Sequence, residues 1–203
     1  APGQSDAVLR YWGAIDHGEF EGKNVLFVAA PELRPGDEVM KSVIGAALAR
    51  RNERPRPRRD EKRITAWNAM AIAAFADAGA ALGERRYLDA AVRCAEFIET
   101  ELALHDGRLR RSWTEGRPGP AGYLEDHAHC TAAYLTLYEC TGDERWFARA
   151  RQLADLTIEH FHDAEYGGFF TVASDHERLI ARRKDIEDNP TPSGNATIAL
   201  VLL

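Results

Sequence analysis

The side chains best suited to chemistry are carboxylates gathered where apolar helical patterns begin. Glu125 and Asp126 stand side by side in Gly122-Tyr123-Leu124-Glu125-Asp126, while Asp60, Asp185 and Asp188 lie in polar segments leading into two other apolar runs. Acid/base work at a sugar ring commonly uses two such carboxyl groups held several ångström apart. Tyr123, Trp67 and Trp113 would supply an aromatic wall for a ring of that kind, and a pocket needs a few convergent polar groups beside its apolar lining. Asp126 and Glu125 are therefore the candidate catalytic pair. Trp67, Asn68, Tyr123, Asp60, Lys62, Lys184, Asp185, Asp188, Ser193 and Asn195 are the candidate binding residues.

Each has a plainer reading. Trp67 shares helical spacing with Met70 and would serve as core. Asp126 would complement a helix dipole, and Ser193 would be an N-cap. Gly194 and Asn195 would serve a turn. Asp185 and Asp188 lie close to Arg182, Arg183 and Lys184, where exposed ion pairs contribute little. His127 and His129 are two residues apart and lack the i, i+4 spacing of helical metal ligands, so neither a metal nor another cofactor is expected.

These residues are positioned by a repeat. Ala74 to Ala91 lies over Ala133 to Ala150 at an offset of 59 residues, with Gly83 on Gly142, Tyr87 on Trp146 and Ala91 on Ala150. A self-match of fixed period is the sign of stacked helical hairpins, each hiding its apolar face against its neighbours. The same offset places Trp67-Asn68 over Glu125-Asp126, and a third apolar helix begins at Ser193-Gly194-Asn195. Three helix heads would then share one rim, each reached by a long loop. Thr65 is the expected cap of the first. Asp37 is the expected cap of an earlier helix carrying Val39, Val43, Ile44, Ala47 and Leu48 on one face. Lys23 to Ala29 reads as a β-type apolar run, and short extended pieces follow each hairpin near Gly107 and Gly167. The expected fold is all-α: a partial (α/α)6 toroid of repeated hairpins with short β-hairpin decorations.

Composition narrows the partners. Across 203 residues, 45% are hydrophobic and 29% charged, as in a globular domain. A net charge of −6 argues against general nucleic-acid binding, and no apolar run could span a bilayer. Three cysteines without a C-x-x-C motif speak for a reducing, cytoplasmic setting. Arg50 to Arg59 is a basic, proline-broken loop: a solvated connector, or alternatively an anion-binding edge. The chain stops within an apolar pattern, so residues 1–203 are expected to be one domain cut from a longer protein. Its uncovered hairpin faces would favour self-association.

Four segments carry a family likeness. Asp60-Glu61-Lys62-Arg63-Ile64-Thr65-Ala66-Trp67-Asn68 looks like D-x-K-x-x-x-x-W-N, and Gly122-Tyr123-Leu124-Glu125-Asp126-His127-Ala128 like G-x-L-E-D-Y-A. Lys184-Asp185 with Asp188 and Pro192-Ser193-Gly194-Asn195 looks like K-D-x-x-D followed by P-S-G-N. Tyr11-Trp12-Gly13 with Phe20-Glu21-Gly22 completes the order. Together they resemble the spermatogenesis-associated, thioredoxin-domain-containing family of YyaL type. The resemblance implies part of an (α/α)6 toroid related to N-acylglucosamine 2-epimerases and six-hairpin glycosidases. It also implies a carbohydrate-like ligand in the rim pocket and a thioredoxin-like domain as partner. A toroid without chemistry, serving that partner as scaffold or regulator, is the alternative. Glu19, Ala69 and His127 depart from the family pattern, and no residue here is matched to the catalytic histidines of the related epimerases.

Overall fold

The computed structural model describes residues 2–177 and 180–203. The chain forms two compact units, 1–59 and 60–203. The first holds α1 (Pro2–Tyr11), a 3-10 turn at Pro31–Leu33 and α2 (Asp37–Asn52). Gly36, not Asp37, occupies the N-cap position of α2. Of the apolar face expected on this helix, Ile44 and Leu48 are exposed, and Met40 is its buried residue. The apolar run after Gly22 is no ladder strand. Val25, Leu26, Phe27 and Val28 are all more than half exposed, and the run is held by a bridge between Phe20 and Lys23, by the Asn24 side chain on the Ile15 backbone, and by links from Phe27 and Ala29 to Trp12 and Tyr11. Without a second strand, β propensity alone does not make a sheet.

The second unit carries the repeat. It contains β1 (Arg63–Ile64), α3 (Thr65–Leu82), α4 (Arg85–Phe97), β2 (Ser112–Thr114), β3 (Arg117–Pro118), α5 (Leu124–Thr141), α6 (Glu144–Phe161) and α7 (Gly194–Val201). Helices α3 and α5 begin and end 59 residues apart, as the self-match requires. Each ends on a glycine in the left-handed region, Gly83 at φ 65° and Gly142 at φ 68°, which terminates the helix without the strain a Cβ would bring. The small sheet runs β1-β2-β3, all antiparallel, with Arg63 opposite Trp113 and Thr114 opposite Arg117.

Helix α5 packs on α3 and on α7, while α4 covers α3 and α6 covers α5. The result is an inner row of α3, α5 and α7 with outer helices behind it. The core between the first two hairpins is built from small residues, Ala69, Ala76, Ala91, Ala95 and Ala133, around Ile72, Tyr134, Leu137, Trp146 and Leu153. Alanine favours helix and permits close axes, so the same residues serve both levels of structure. A second cluster of Leu124, Ala128, Phe161, Phe169 and Ile198 fills the space between α5, α6 and α7.

The expected Thr65 cap is not formed. Thr65 already lies inside α3 and its hydroxyl donates to the Arg110 carbonyl at 2.6 Å, tying the helix head to the chain before β2. Helices α3 and α4 approach closely at Gly79, where a Cβ would meet the Leu88 backbone nitrogen of α4 at 2.9 Å. Gly79→Ala is expected to destabilise the fold by about 1–3 kcal/mol despite alanine's better helix propensity, because the neighbouring atom is backbone and cannot swing away. Urea unfolding monitored by circular dichroism measures this, and an unchanged midpoint would show that α3 and α4 separate freely.

Candidate functional site

Three helix heads meet on one rim of the second unit. The contact begins with Asp126. Its Oδ2 accepts from the Tyr123 N–H at 2.9 Å, closing the first turn of its own helix, while Oδ1 accepts from the Ala66 N–H of α3 at 3.0 Å. The same Oδ1 takes Nη1 of Arg111 at 3.0 Å. One carboxylate thus meets the orphan N–H groups of two helix starts, where negative charge is favoured. The α7 head closes from the other side. Gly194 lies so near α5 that a Cβ would meet Leu124 Cγ at 2.9 Å and the Glu125 nitrogen at 3.0 Å, and His129 Nε2 bonds the Pro192 carbonyl at 3.2 Å.

Asp126 has no exposed surface, which overturns its expected place as a group that touches substrate. Burial pushes its carboxyl up to about 6, with the Arg111 guanidinium and the N–H donors pulling the other way. Glu125 differs. Its side chain is 33% exposed and pairs with Arg111, whose guanidinium also stands 5.4 Å from the Tyr123 ring centre. The exposed group of the pair is the one able to meet a ligand.

The remaining candidates separate into three groups. Lys184 reaches Asp163 and the Gly167 carbonyl, and Asp185 adds its own carbonyl to the Asn195 amide at 2.9 Å. Asn195 also accepts from the Phe169 N–H at 2.8 Å and donates to the Phe169 carbonyl at 2.9 Å, so it behaves as a piece of strand pinning the Gly167–Phe169 turn. Ser193 is a cap for α7, accepting from the Ala196 N–H at 3.1 Å, and Asp188 accepts from the Ser193 N–H at 2.9 Å. Asp60 and Lys62 pair with each other in the open. Asn68 turns back along α3, donating to the Ile64 carbonyl and accepting from the Cys94 thiol. Trp67 is 60% exposed, not core, and among the described residues no hydrogen bond or ring contact ties it to Glu125.

A cavity of about 370 Å³ lies beside the α5 head, lined by Thr171, Arg183, Lys184, Asp185 and Asn189 among others. Thr171 joins it to the rim, its carbonyl accepting from the Leu124 N–H at 2.9 Å and its N–H donating to the Arg183 carbonyl at 2.8 Å. Sequence reasoning missed Arg111 and Thr171. Arg111 follows a short turn outside every helical pattern, so only its place beside the α5 head marks it.

His127 supports the rim from below. Its Nδ1 bonds the Tyr123 carbonyl at 2.8 Å and its Nε2 bonds the Leu109 N–H at 3.1 Å, which requires one neutral tautomer with the proton on Nδ1. Burial pushes its pKa down to about 4. The unfolded chain therefore takes up the His127 proton first as pH falls from 6.5, and the fold loses up to about 3 kcal/mol on the way to pH 4. Asp126 acts in the opposite sense. Its raised pKa means stability present below 3.8 and lost as pH rises through 6. His127→Gln leaves the second effect unopposed, so acidification from pH 6.5 to 4 should stabilise this variant relative to wild type. Urea midpoints across that range measure the difference, and parallel pH profiles would rule out a neutral buried His127.

Among the described residues, no helix is long and apolar enough to cross a membrane. Human spermatogenesis-associated protein 20 is 31% identical over 206 residues, covering 92% of this chain and 26% of the human protein; the rat protein of that name is 32% identical with the same coverage. The chain thus spans about a quarter of the length of these relatives. Among solved structures, a sugar epimerase from a ruminal bacterium superposes with a TM-score of 0.57 at 16% identity, over 72% of this chain and 39% of its own. Cellobiose 2-epimerase from Bacillus thermoamylovorans gives 0.53 at 18% identity, over 56% of this chain and 33% of its own. These likenesses establish the α/α-toroid fold. The profile of the N-acylglucosamine 2-epimerase (GlcNAc 2-epimerase) family matches residues 56–171, more than half of the sequence, and the chain belongs to that family.

Proposed function

We propose that the second unit is a carbohydrate-active toroid domain whose rim receives a sugar-like small molecule at the α5 head. The observation that carries this reading is the meeting of partly exposed Glu125, Arg111 and Tyr123 at the α5 head, which the Leu124–Thr171 backbone bond joins to the cavity containing Lys184 and Asp185. Glu125 exchanges the proton in an epimerase- or glycosidase-like step. Asp126 is a positioning residue, holding the α3 and α5 heads and Arg111 in register. Tyr123 and Trp67 offer ring faces, while Asp60 and Lys62 border the approach to α3. The names of the solved relatives, a sugar epimerase and a cellobiose 2-epimerase, accord with such a ligand. A cytoplasmic location accords with three free cysteines.

A second reading has its own support. Ser193, Asn195, Asn68 and Asp126 spend their polar atoms on the fold, as in a scaffold or regulatory domain that partners a thioredoxin-like domain. Ligand-induced stabilisation separates the two. A panel of mono- and disaccharides should contain one that raises the melting temperature by about 5 °C or more at roughly a hundred times its Kd. Glu125→Gln should weaken that shift while lowering the unliganded melting point by no more than about 4 °C, since the amide can still accept from Arg111 and Arg111 keeps its bond to Asp126. No shift with any saccharide, together with capture by a thioredoxin-fold domain, would favour the scaffold.

A further inference from the structure

The first unit carries a charge concentration that the rim does not use. Residues 50–59 include six arginines against one carboxylate, Glu53, in a protein of net charge −6. Helix α2 accounts for the first two. Arg50 and Arg51 lie in its last turn, where cations complement the helix dipole, and Arg50 also pairs with Glu53. The dipole's influence ends within that turn and does not reach Arg54 and Arg56 in the loop beyond it.

Their arrangement is a concave one. The Arg54 N–H turns back to the Arg51 carbonyl at 3.1 Å as the helix ends. Arg51, Arg54, Arg56 and Arg59, with Pro55 and Pro57, then line a cavity of about 350 Å³ that has no carboxylate among these lining residues. The two prolines fix φ at alternate positions and remove backbone donors, so the loop is stiffened in an extended form and the side chains do the recognising. Arg56 is steadied by the neutral side chain of Asn52, which orients the guanidinium without cancelling its charge. Like charges around one hollow repel each other, and that repulsion is relieved by an anion able to take several N–H forks at once.

We propose that this hollow binds a small, multiply charged phosphate-type anion, independently of the sugar-like ligand of the rim. Guanidinium groups match phosphate oxygens in bidentate geometry, and a cavity of this volume holds a ligand carrying one or two phosphate groups. A carboxylate monoanion would engage a single fork and bind more weakly.

Isothermal titration calorimetry on the whole chain at about 0.15 M salt tests this, with pyrophosphate as the probe and acetate as the comparison. Pyrophosphate should bind saturably, one per chain, and at least about tenfold more tightly than acetate. The double variant Arg54→Ala/Arg56→Ala should lose about a hundredfold of that affinity, each of the two charge-assisted contacts being worth about tenfold. Arg85→Ala, on the second unit, should bind as wild type does. Both positions in the double variant are exposed, so its melting curve should match that of wild type and confirm that the loss is one of binding. Equal affinities in wild type and double variant, or binding no tighter than that of acetate, would overturn the proposal. So would single-stranded oligonucleotides binding ever more tightly with length, because the hollow would then be part of a nucleic-acid track.

Discussion

Two helix starts share one carboxylate, and the rim depends on it. Asp126 satisfies the Tyr123 N–H of its own helix and the Ala66 N–H of the neighbouring one, then anchors Arg111 with the oxygen it has already given to Ala66. Helices of equal length could slide along each other over an alanine-rich contact, since small side chains interlock weakly. A buried hydrogen bond between their heads removes that freedom, because any axial slip leaves a charged oxygen without its donor. The register of α3 against α5 therefore follows from one side chain, and Arg111 and Glu125 inherit their positions from it.

Burial divides labour between adjacent carboxylates. Asp126 lies where α3, α5 and the Arg111 segment enclose it, and Glu125, one position earlier on the helix, turns partly to solvent. A step of about 100° around a helix is enough to move a side chain from the seam to the surface. Chemistry needs the exposed group and geometry needs the buried one. His127, at the next position, completes the arrangement by holding Tyr123 and Leu109 through a single tautomer.

The third head is held by different means. Ser193 caps α7 and Asn195 clasps the Phe169 backbone, so the polar residues that crowd this helix start serve mainly to join it to the Gly167–Phe169 turn. Lys184 does similar work on Asp163. Polar residues at a helix head are ambiguous for this reason. The backbone there has its own unsatisfied groups, and side chains that meet them are unavailable to a ligand.

The sequence by itself determined the hairpins, their period and the glycine stops, because apolar spacing and helix termination are local properties read within a few residues. It also determined that three helix heads carry the polar residues, since the offset of 59 maps one head onto the next. Only the tertiary structure decided that Asp126 is sealed while Trp67, its counterpart in the repeat, is 60% exposed. Helix α5 is flanked by α3 and α7, whereas within the second unit α3 has an inner neighbour on one side only. The same helical position is therefore enclosed in one copy and open in the other. Arg111 was likewise invisible, because its role comes from a contact across fifteen residues of chain between an irregular segment and a helix head. Periodicity reports which face of a helix is apolar; what stands opposite that face is settled by packing.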